Sequence, residues 1–324
     1  MISTCCCGET KHLELFSSHD LLCGNDGVWK IVQCNACLLL RTFPQPNEKQ
    51  LASYYPSDYQ PHIAVDPIST AGRETLRRMV LTATKKYPGV TSIWQHHFGK
   101  MLATVFWKRF LRYPNFRPNG RLLDIGCGNG HQLKLFRDLG WQVTGVDVSI
   151  NAIDQVRRRG IEAVHGTVES AAFNSSSFDV ITMYASLEHV TDPLQTLTTV
   201  HRLLRPDGEL LISVPRADSW LAQLAGPHWF SLDLPRHLYH FTPTSLRNLL
   251  ARIGFTVCRI RSVQPIEHVV FSWIYRTKRS KGQMDAPLTM NRIESFVASV
   301  FSSNVNLCDT GDIMYLWATR NESN

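Results

Sequence analysis

The segment Leu123-Asp-Ile-Gly-Cys-Gly-Asn-Gly130 sets one acid and three glycines where a short apolar run gives way to an amphipathic one. Glycines there let the backbone turn sharply and approach a ligand closely. Asp147, seventeen residues past Gly130, closes the next apolar run. In a parallel sheet its carboxylate projects toward the same crevice and can accept two hydrogen bonds from a ribose diol. A dinucleotide fingerprint, Gly-x-Gly-x-x-Gly, would need its third glycine where His131 stands. The spacing found is Gly-x-Gly-x-Gly, and Asp124 suits a cationic amino-acid portion but would repel a pyrophosphate. The alternative is a glycine turn with no ligand.

A second constellation is thiol-rich. Of nine cysteines, six lie within the first 37 residues. An odd, clustered set suggests metal in a reducing compartment rather than disulfides. Cys34-Asn-Ala-Cys37 is a C-x-x-C half-site after a strand over Trp29–Gln33, and its partner must come from Cys5-Cys6-Cys7-Gly8. Adjacent cysteines point different ways, so Cys5 and Cys7 join Cys34 and Cys37 as four thiolates for a structural zinc. Cys23 or His12 could replace one of them, and a ribbon that no longer binds metal is the alternative reading.

These groups need a scaffold, and the chain supplies one. Its 324 residues, 44% hydrophobic and 19% charged, suffice for about two domains with a full core. No apolar run approaches the ~20 residues of a membrane span, and the N-terminus lacks a secretory pattern, so a cytoplasmic protein is expected. Net charge is +7, yet residues 70 to 117 alone carry ten Lys/Arg against Glu74. Such a patch suits an anionic neighbour or is a solvated helix face. Composition divides the chain into a Cys-rich module (1–45), a basic helical region (46–118) with a helix expected over Phe98–Tyr113, and an α/β domain (119–324).

Within 119–324 short apolar runs alternate with amphipathic ones, the pattern of βαβ units. Strands are expected at 121–125, 141–146, 161–164, 178–184, 209–214, 256–260 and 312–319. Helices lie between them, with Ser149 and Thr242-Pro243 as starts and Gly140, Gly160 and Gly254 as stops. Pro206-Asp-Gly208 is expected to break the helix before the fifth strand.

Several stretches together resemble class I S-adenosylmethionine-dependent methyltransferases. Leu123–Gly130 is similar to their first motif and Val143-Thr-Gly-Val-Asp-Val-Ser149 to the second. His165-Gly-Thr-Val-Glu169 with Ser177–Ile181 resembles the adenine segment and fourth strand. Leu187-Glu-His-Val190, Leu203–Gly208 and Leu211–Pro215 complete the series. The resemblance implies an α/β fold: a Rossmann-like, seven-stranded, mostly parallel sheet with helices on both faces, preceded here by the Cys-rich module and basic helices. It also implies S-adenosylmethionine as cofactor. Asp124, Gly126, Cys127, Gly128 and Gly130 would then surround its methionine end, and Asp147 would hold the ribose. Val148 would pack on the adenine face, Thr167 and Val168 would meet the adenine edge, and Met183 and Tyr184 would close the pocket near the sulfonium.

The place of an Asn/Asp-Pro-Pro-aromatic motif, which resembling enzymes use on nucleobase amines, holds Tyr184-Ala-Ser-Leu187, and a Pro-Cys nucleophile is absent. A small-molecule or glycan acceptor is therefore expected, by O-methylation. The segment Trp229–His240, with Asp233, Arg236, His237 and His240, resembles a bacterial subgroup acting on glycans and secondary metabolites. His237 is the expected general base, because imidazole titrates near neutral pH. His189, beside Glu188, is second, with a structural role as its alternative. Arg236 would clamp a carboxylate or phosphate, or pair with Asp233. The competing functions are an RNA-modifying methyltransferase gripping phosphates through Lys108, Arg109 and Arg112, and a methyltransferase-like scaffold without catalysis.

Overall fold

A computed structural model describes residues 4–55, 71–88, 92–106, 111–289 and 291–321. Strands β1 (His12–Ser18), β2 (Trp29–Cys34) and β3 (Leu40–Phe43) precede helices α1 (Glu48–Ser53), α2 (Ala71–Lys85) and α3 (Ile93–Phe106). An alternating series follows: β4 (Arg121–Ile125), α4 (His131–Asp138), β5 (Gln142–Asp147), α5 (Ile150–Arg158), β6 (Glu162–His165), β7 (Phe178–Tyr184), α6 (Pro193–Leu203) and β8 (Leu204–Pro215). The remainder holds α7 (Trp220–Ala225), β9 (Tyr239–His240), α8 (Pro243–Ile253), β10 (Phe255–Val263), α9 (Ile266–Thr277), α10 (Arg292–Leu307) and β11 (Ile313–Arg320).

Seven strands form one sheet in the order β10-β11-β8-β7-β4-β5-β6, and β4 runs parallel to both β5 and β7, as β5 does to β6. That is the expected α/β architecture. The sequence markers act locally as read. The Ser149 hydroxyl caps α5 by accepting from Ala152 N–H, and Thr242 with Ser245 makes a capping box on α8, with Gly254 left-handed at its end. Two expectations change. β8 starts at Leu204 and runs through Pro206-Asp-Gly208 as extended chain, so the helix ends earlier than those residues suggested. The helix expected over Phe98–Tyr113 starts earlier, at Ile93, and is described to Phe106; 107–110 lie outside the described residues, and Leu111-Arg112 is a turn.

By contacts the chain divides into two units that cut across the composition-based segments. One comprises Met1–Ser57, Ala185–Leu197 and Ser213–Leu316, the other Asp58–Tyr184, Thr198–Ile212 and Trp317–Asn324. In the second unit, Leu122 and Val180 of the sheet bury with Leu133 and Phe136 of α4, Ile153 and Val156 of α5, and Trp141. Each such side chain contributes about 1.5–3 kcal/mol by leaving water. In the first unit, β1, β2, β3 and β9 form a four-stranded sheet in that order. Trp29, Ile31 and Leu40 of that sheet pack on Leu221, Trp229, Leu232 and Leu234. The Cys-rich segment is thus built into the same sheet as residues 239–240. Among the described residues no helix is long and apolar enough to cross a membrane.

Candidate functional site

In the second unit β4 ends in a turn made by Gly126, Gly128 and Gly130 at φ 72°, 51° and 75°, a region that favours glycine. The turn folds back on β5, because Gly126 and Cys127 donate their N–H groups to the Val146 carbonyl at 2.8 and 3.1 Å. A Cβ on Gly130 would stand 2.6 Å from Val156 Cγ2, so the entry to α4 also has no room for a side chain.

Asp147 ends β5 beside this turn. Its Oδ2 accepts from Gly128 N–H and its Oδ1 from Ser149 N–H, both at 2.8 Å. The next side chain, Val148, is 68% exposed, an apolar surface beside a buried carboxylate. Gly166 N–H donates to the Asp147 carbonyl at 2.9 Å, which brings the following turn, where Thr167 and Ser170 bond reciprocally, to the end of β5. Thr167 is exposed and Val168 is buried.

Asp124 is buried, and its carboxylate accepts from the Thr182 hydroxyl at 2.6 Å. Burial pushes the Asp124 carboxyl up to about 7 against that hydrogen bond, and the nearby Asp147 charge adds to the rise. A cationic group would lower it again. Burial likewise raises the Cys127 thiol, which leaves it a packing residue and no nucleophile. Met183 is fully buried. The Tyr184 ring stacks on Phe136 and its hydroxyl donates to the Arg112 carbonyl, so the ring is engaged in the core. Thr182 was not singled out from the sequence; its signal is a hydroxyl within the apolar strand Phe178–Tyr184.

In the first unit the histidines meet. The turn Leu187–His189 is tied to the segment before β9, as Leu238 N–H donates to the Glu188 carbonyl at 2.8 Å. The rings of His189 and His237 stand edge to face with centroids 4.6 Å apart. His237 Nδ1 lies 2.8 Å from the Ser231 carbonyl, and His189 Nδ1 lies 3.0 Å from the Arg236 carbonyl and 2.9 Å from the Tyr55 hydroxyl. In the tautomer in which each Nδ1 donates to its carbonyl, the lone pair is on Nε2. Burial lowers His237 to about 4 despite the Asp233 charge, and lowers His189 and His240 to about 3. All three are therefore neutral at pH 7. Glu188 is 1% exposed, and burial pushes its carboxyl up to about 8.

Arg236 is not offered to a ligand. It is fully buried and donates to both oxygens of Asp20, at 2.9 and 2.8 Å, and to Asp233 Oδ1 at 2.7 Å. Burial would raise Asp20, but the hydrogen bonds and charge of Arg236 outweigh it and hold Asp20 low. The guanidinium is thus a structural tie, as its Asp233 alternative suggested. A further anchor missed in the sequence is Asp312, fully buried just before β11. It accepts from Trp229 Nε1 at 2.6 Å, Ser219 Oγ at 3.0 Å and Ser231 Oγ at 2.8 Å, and so positions the stretch that carries His237.

The same unit gathers four thiols. Cys5 Sγ lies 3.5 Å from Cys37 Sγ, and Cys7 Sγ 3.5 Å from Cys34 Sγ, with all four sulfurs within 4.8 Å of one another. A disulfide needs about 2.05 Å, whereas the edge of a tetrahedron of Zn–S bonds is about 3.8 Å. The donor set therefore fits a zinc ion. Cys6, Cys23 and His12 are not in the group. Of the basic residues, Lys108 and Arg109 lie outside the described residues, and Arg117 pairs with Asp207 at 2.6 Å.

Comparison with known proteins agrees with this geometry. Residues 94–260, over half of the chain, match the family model described as a methyltransferase domain. The chain is 33% identical over 130 residues to the ubiquinone biosynthesis O-methyltransferase of Xanthomonas oryzae pv. oryzae, covering 37% of this chain and 54% of that protein. It is 31% identical over 134 residues to the enzyme of the same name from Haemophilus ducreyi, covering 37% and 57%. The match thus spans about half the length of these curated relatives. A chain of the solved complex of the Haloferax volcanii Trm112 methyltransferase activator aligns with TM-score 0.50 at 16% identity, over 69% of this chain and 93% of that one, a likeness of fold. The carboxylate at the end of β5, the glycine turn after β4, the parallel sheet and the family match lead to one conclusion: the chain belongs to the class I S-adenosylmethionine-dependent methyltransferases.

Proposed function

We propose that this protein transfers the methyl group of S-adenosylmethionine to a hydroxyl oxygen of a small-molecule acceptor. The observation that carries the reading is the pairing of Asp147 with the glycine turn, beside the exposed Val148. Asp147 takes the ribose diol through its remaining lone pairs, Val148 lies against the adenine face, and Thr167 and Val168 border the adenine edge. Asp124, with the backbone of Gly126 and Gly128, receives the methionine ammonium, whose charge relieves the buried carboxyl. Cys127 and Gly130 shape that turn, and Met183 and Tyr184 wall its end. Bound there, the sulfonium supplies an electrophilic methyl group for in-line displacement. The protein's part is to orient the acceptor and to take its proton.

The hydroxyl acceptor is supported by the O-methyltransferase names of the relatives. The proton is assigned to His237, with His189 second, both imidazoles being unprotonated at neutral pH. Arg236 positions these rings by fixing Asp233 and the chain between Leu234 and His237. Cys5, Cys7, Cys34 and Cys37 hold a structural zinc that ties the N-terminal turn to the β2–β3 connection. Calorimetry with S-adenosylhomocysteine tests the reading. Wild type binds with a micromolar constant, and Asp147→Ala weakens binding at least a hundredfold; equal affinity in the two proteins refutes the site.

A further inference from the structure

The buried carboxylate of Glu188 poses a problem that the rest of the structure does not solve. It is 1% exposed, and neither Oε1 nor Oε2 has a hydrogen-bond partner among the described residues. A buried carboxylate without partners is costly. Protonating it is no remedy, because the acid O–H would still lack an acceptor and the other oxygen a donor. What surrounds the carboxylate is a pair of imidazoles: one ligand atom each from Glu188, His189 and His237 lie within 4.8 Å of one another.

We propose that Glu188, His189 and His237 form a binding site for a divalent transition-metal cation, separate from the four-cysteine cluster. Two imidazoles and one carboxylate make a donor set suited to zinc, iron or cobalt rather than to magnesium, which favours oxygen ligands. Ligating histidines usually donate the second ring N–H to a carbonyl or carboxylate. Here His237 Nδ1 faces the Ser231 carbonyl at 2.8 Å, and His189 Nδ1 lies 3.0 Å from the Arg236 carbonyl and 2.9 Å from the Tyr55 hydroxyl; the tautomers that donate to the two carbonyls leave both Nε2 atoms for the ion. Ligand bonds of about 2.1 Å imply donor separations of roughly 3.4 Å, so small side-chain rotations close the set.

Charge and access agree. Three acidic side chains, Asp20, Asp233 and Glu188, stand here with the single guanidinium of Arg236, an acid-rich surrounding that suits a cation. Asp233 Oδ2 lies 3.7 Å from His237 Nε2 while Oδ1 is held by Arg236, so Asp233 stands beside the site as an orienting neighbour. His189 is half-buried, which gives the ion a way in. Three protein ligands leave a fourth position for an oxygen ligand. An imidazole whose lone pair holds the ion cannot also take a proton, so occupancy of this site and the general-base role proposed above for His237 and His189 exclude each other.

The test uses the full chain, stripped with a chelator under reducing conditions and reloaded with Co²⁺ alone. Cobalt on thiolates absorbs in the near ultraviolet through sulfur-to-metal charge transfer, and cobalt on imidazole and carboxylate does not. Wild type is expected to hold two equivalents, of which one carries thiolate absorption. Cys34→Ser should lose that absorption and keep one equivalent. Glu188→Gln should keep the thiolate absorption and lose the other equivalent, as should His237→Ala. A wild type with a single equivalent, all of it thiolate-bound, overturns the proposal without any variant. So does a folded Glu188→Gln protein that still binds two. S-adenosylhomocysteine affinity, measured on the same stripped samples, reports on the methyltransferase reading independently of either outcome.

Discussion

Asp147 accepts a hydrogen bond from the Gly128 N–H at 2.8 Å, so the acid that ends β5 also shapes the turn that follows β4. Its second oxygen accepts from Ser149 N–H, at the start of α5, also at 2.8 Å. One carboxylate therefore fixes the crevice before any ligand enters. Asp147→Ala is expected to lower stability as well as cofactor affinity, because each hydrogen bond to a charged acceptor contributes about 1.5–3 kcal/mol. Asp147→Asn keeps one acceptor and should recover part of the stability but little of the affinity. Thermal melting beside calorimetry separates the two losses. A variant that binds weakly yet melts like wild type would show that the carboxylate does not organise the turn.

Asp124 should give stability a pH dependence of unusual sign for an acid. Its folded pKa, about 7, lies above the ordinary value near 4. Between those limits the unfolded chain releases the proton and the folded chain keeps it, so the stabilisation present at low pH is lost as pH rises, and the curve flattens above 7. The slope is at most about 1.4 kcal/mol per pH unit. Asp124→Asn should remove this slope and be the more stable protein at pH 8, while losing cofactor affinity. Denaturant titrations from pH 4 to 8 measure the difference; a constant offset between the two proteins contradicts the assignment.

Gly130 should tolerate no side chain. Alanine there meets Val156 Cγ2 at 2.6 Å and must adopt φ 75°. Gly130→Ala is expected to cost on the order of 1–3 kcal/mol, the range for overpacking. Val156→Ala in the same chain should return part of it. Additive losses in the double variant would place the whole cost in the backbone.

Arg236 and Asp20 are both fully buried, and they bond over 216 positions of sequence. Removing one partner strands a buried charge, so Arg236→Met or Asp20→Ala alone should cost about 3–5 kcal/mol. The double replacement should cost less than the sum of the single ones. Denaturation of all four proteins closes that cycle, and strict additivity would mean that the pair does not interact.

Metal removal should act locally. Cys34→Ser, which should abolish the zinc site proposed for Cys5, Cys7, Cys34 and Cys37, is expected to loosen the turns that flank β1 and β2. Hydrogen exchange would rise at Cys34 N–H, now bonded to the Leu39 carbonyl at 3.0 Å, and at Gly8 N–H. Protection along β4 and β5, in the other unit, should be unchanged.

What could be read from the sequence was local. Apolar runs of four to seven residues in the series 121–184, Ser149 and Thr242 as helix starts, and Gly140, Gly160 and Gly254 as stops depend on neighbours within one or two turns. The glycine turn and Asp147 belong to this class too, because a strand-turn-helix followed by a parallel strand brings their ends together with little choice of topology. The cysteine set was legible as chemistry, although the pairing of Cys5 with Cys37 and Cys7 with Cys34 came from the fold.

The rest depended on contacts between distant segments. No periodicity announces that β3 pairs with β9, some 200 residues later, and so draws the Cys-rich segment into the sheet that holds His240. His237 looked like a base by residue type, but its burial among Ser231, Asp233 and His189 decides its protonation. Arg236 looked free to clamp a ligand until Asp20 met it. Glu188 was only the acid beside His189 until tertiary packing closed over it and left both oxygens without hydrogen-bond partners among the described residues. Sequence sets the type of each polar group. Desolvation, which decides whether that group is charged, paired or open to a ligand, arises only when remote parts of the chain exclude water from it.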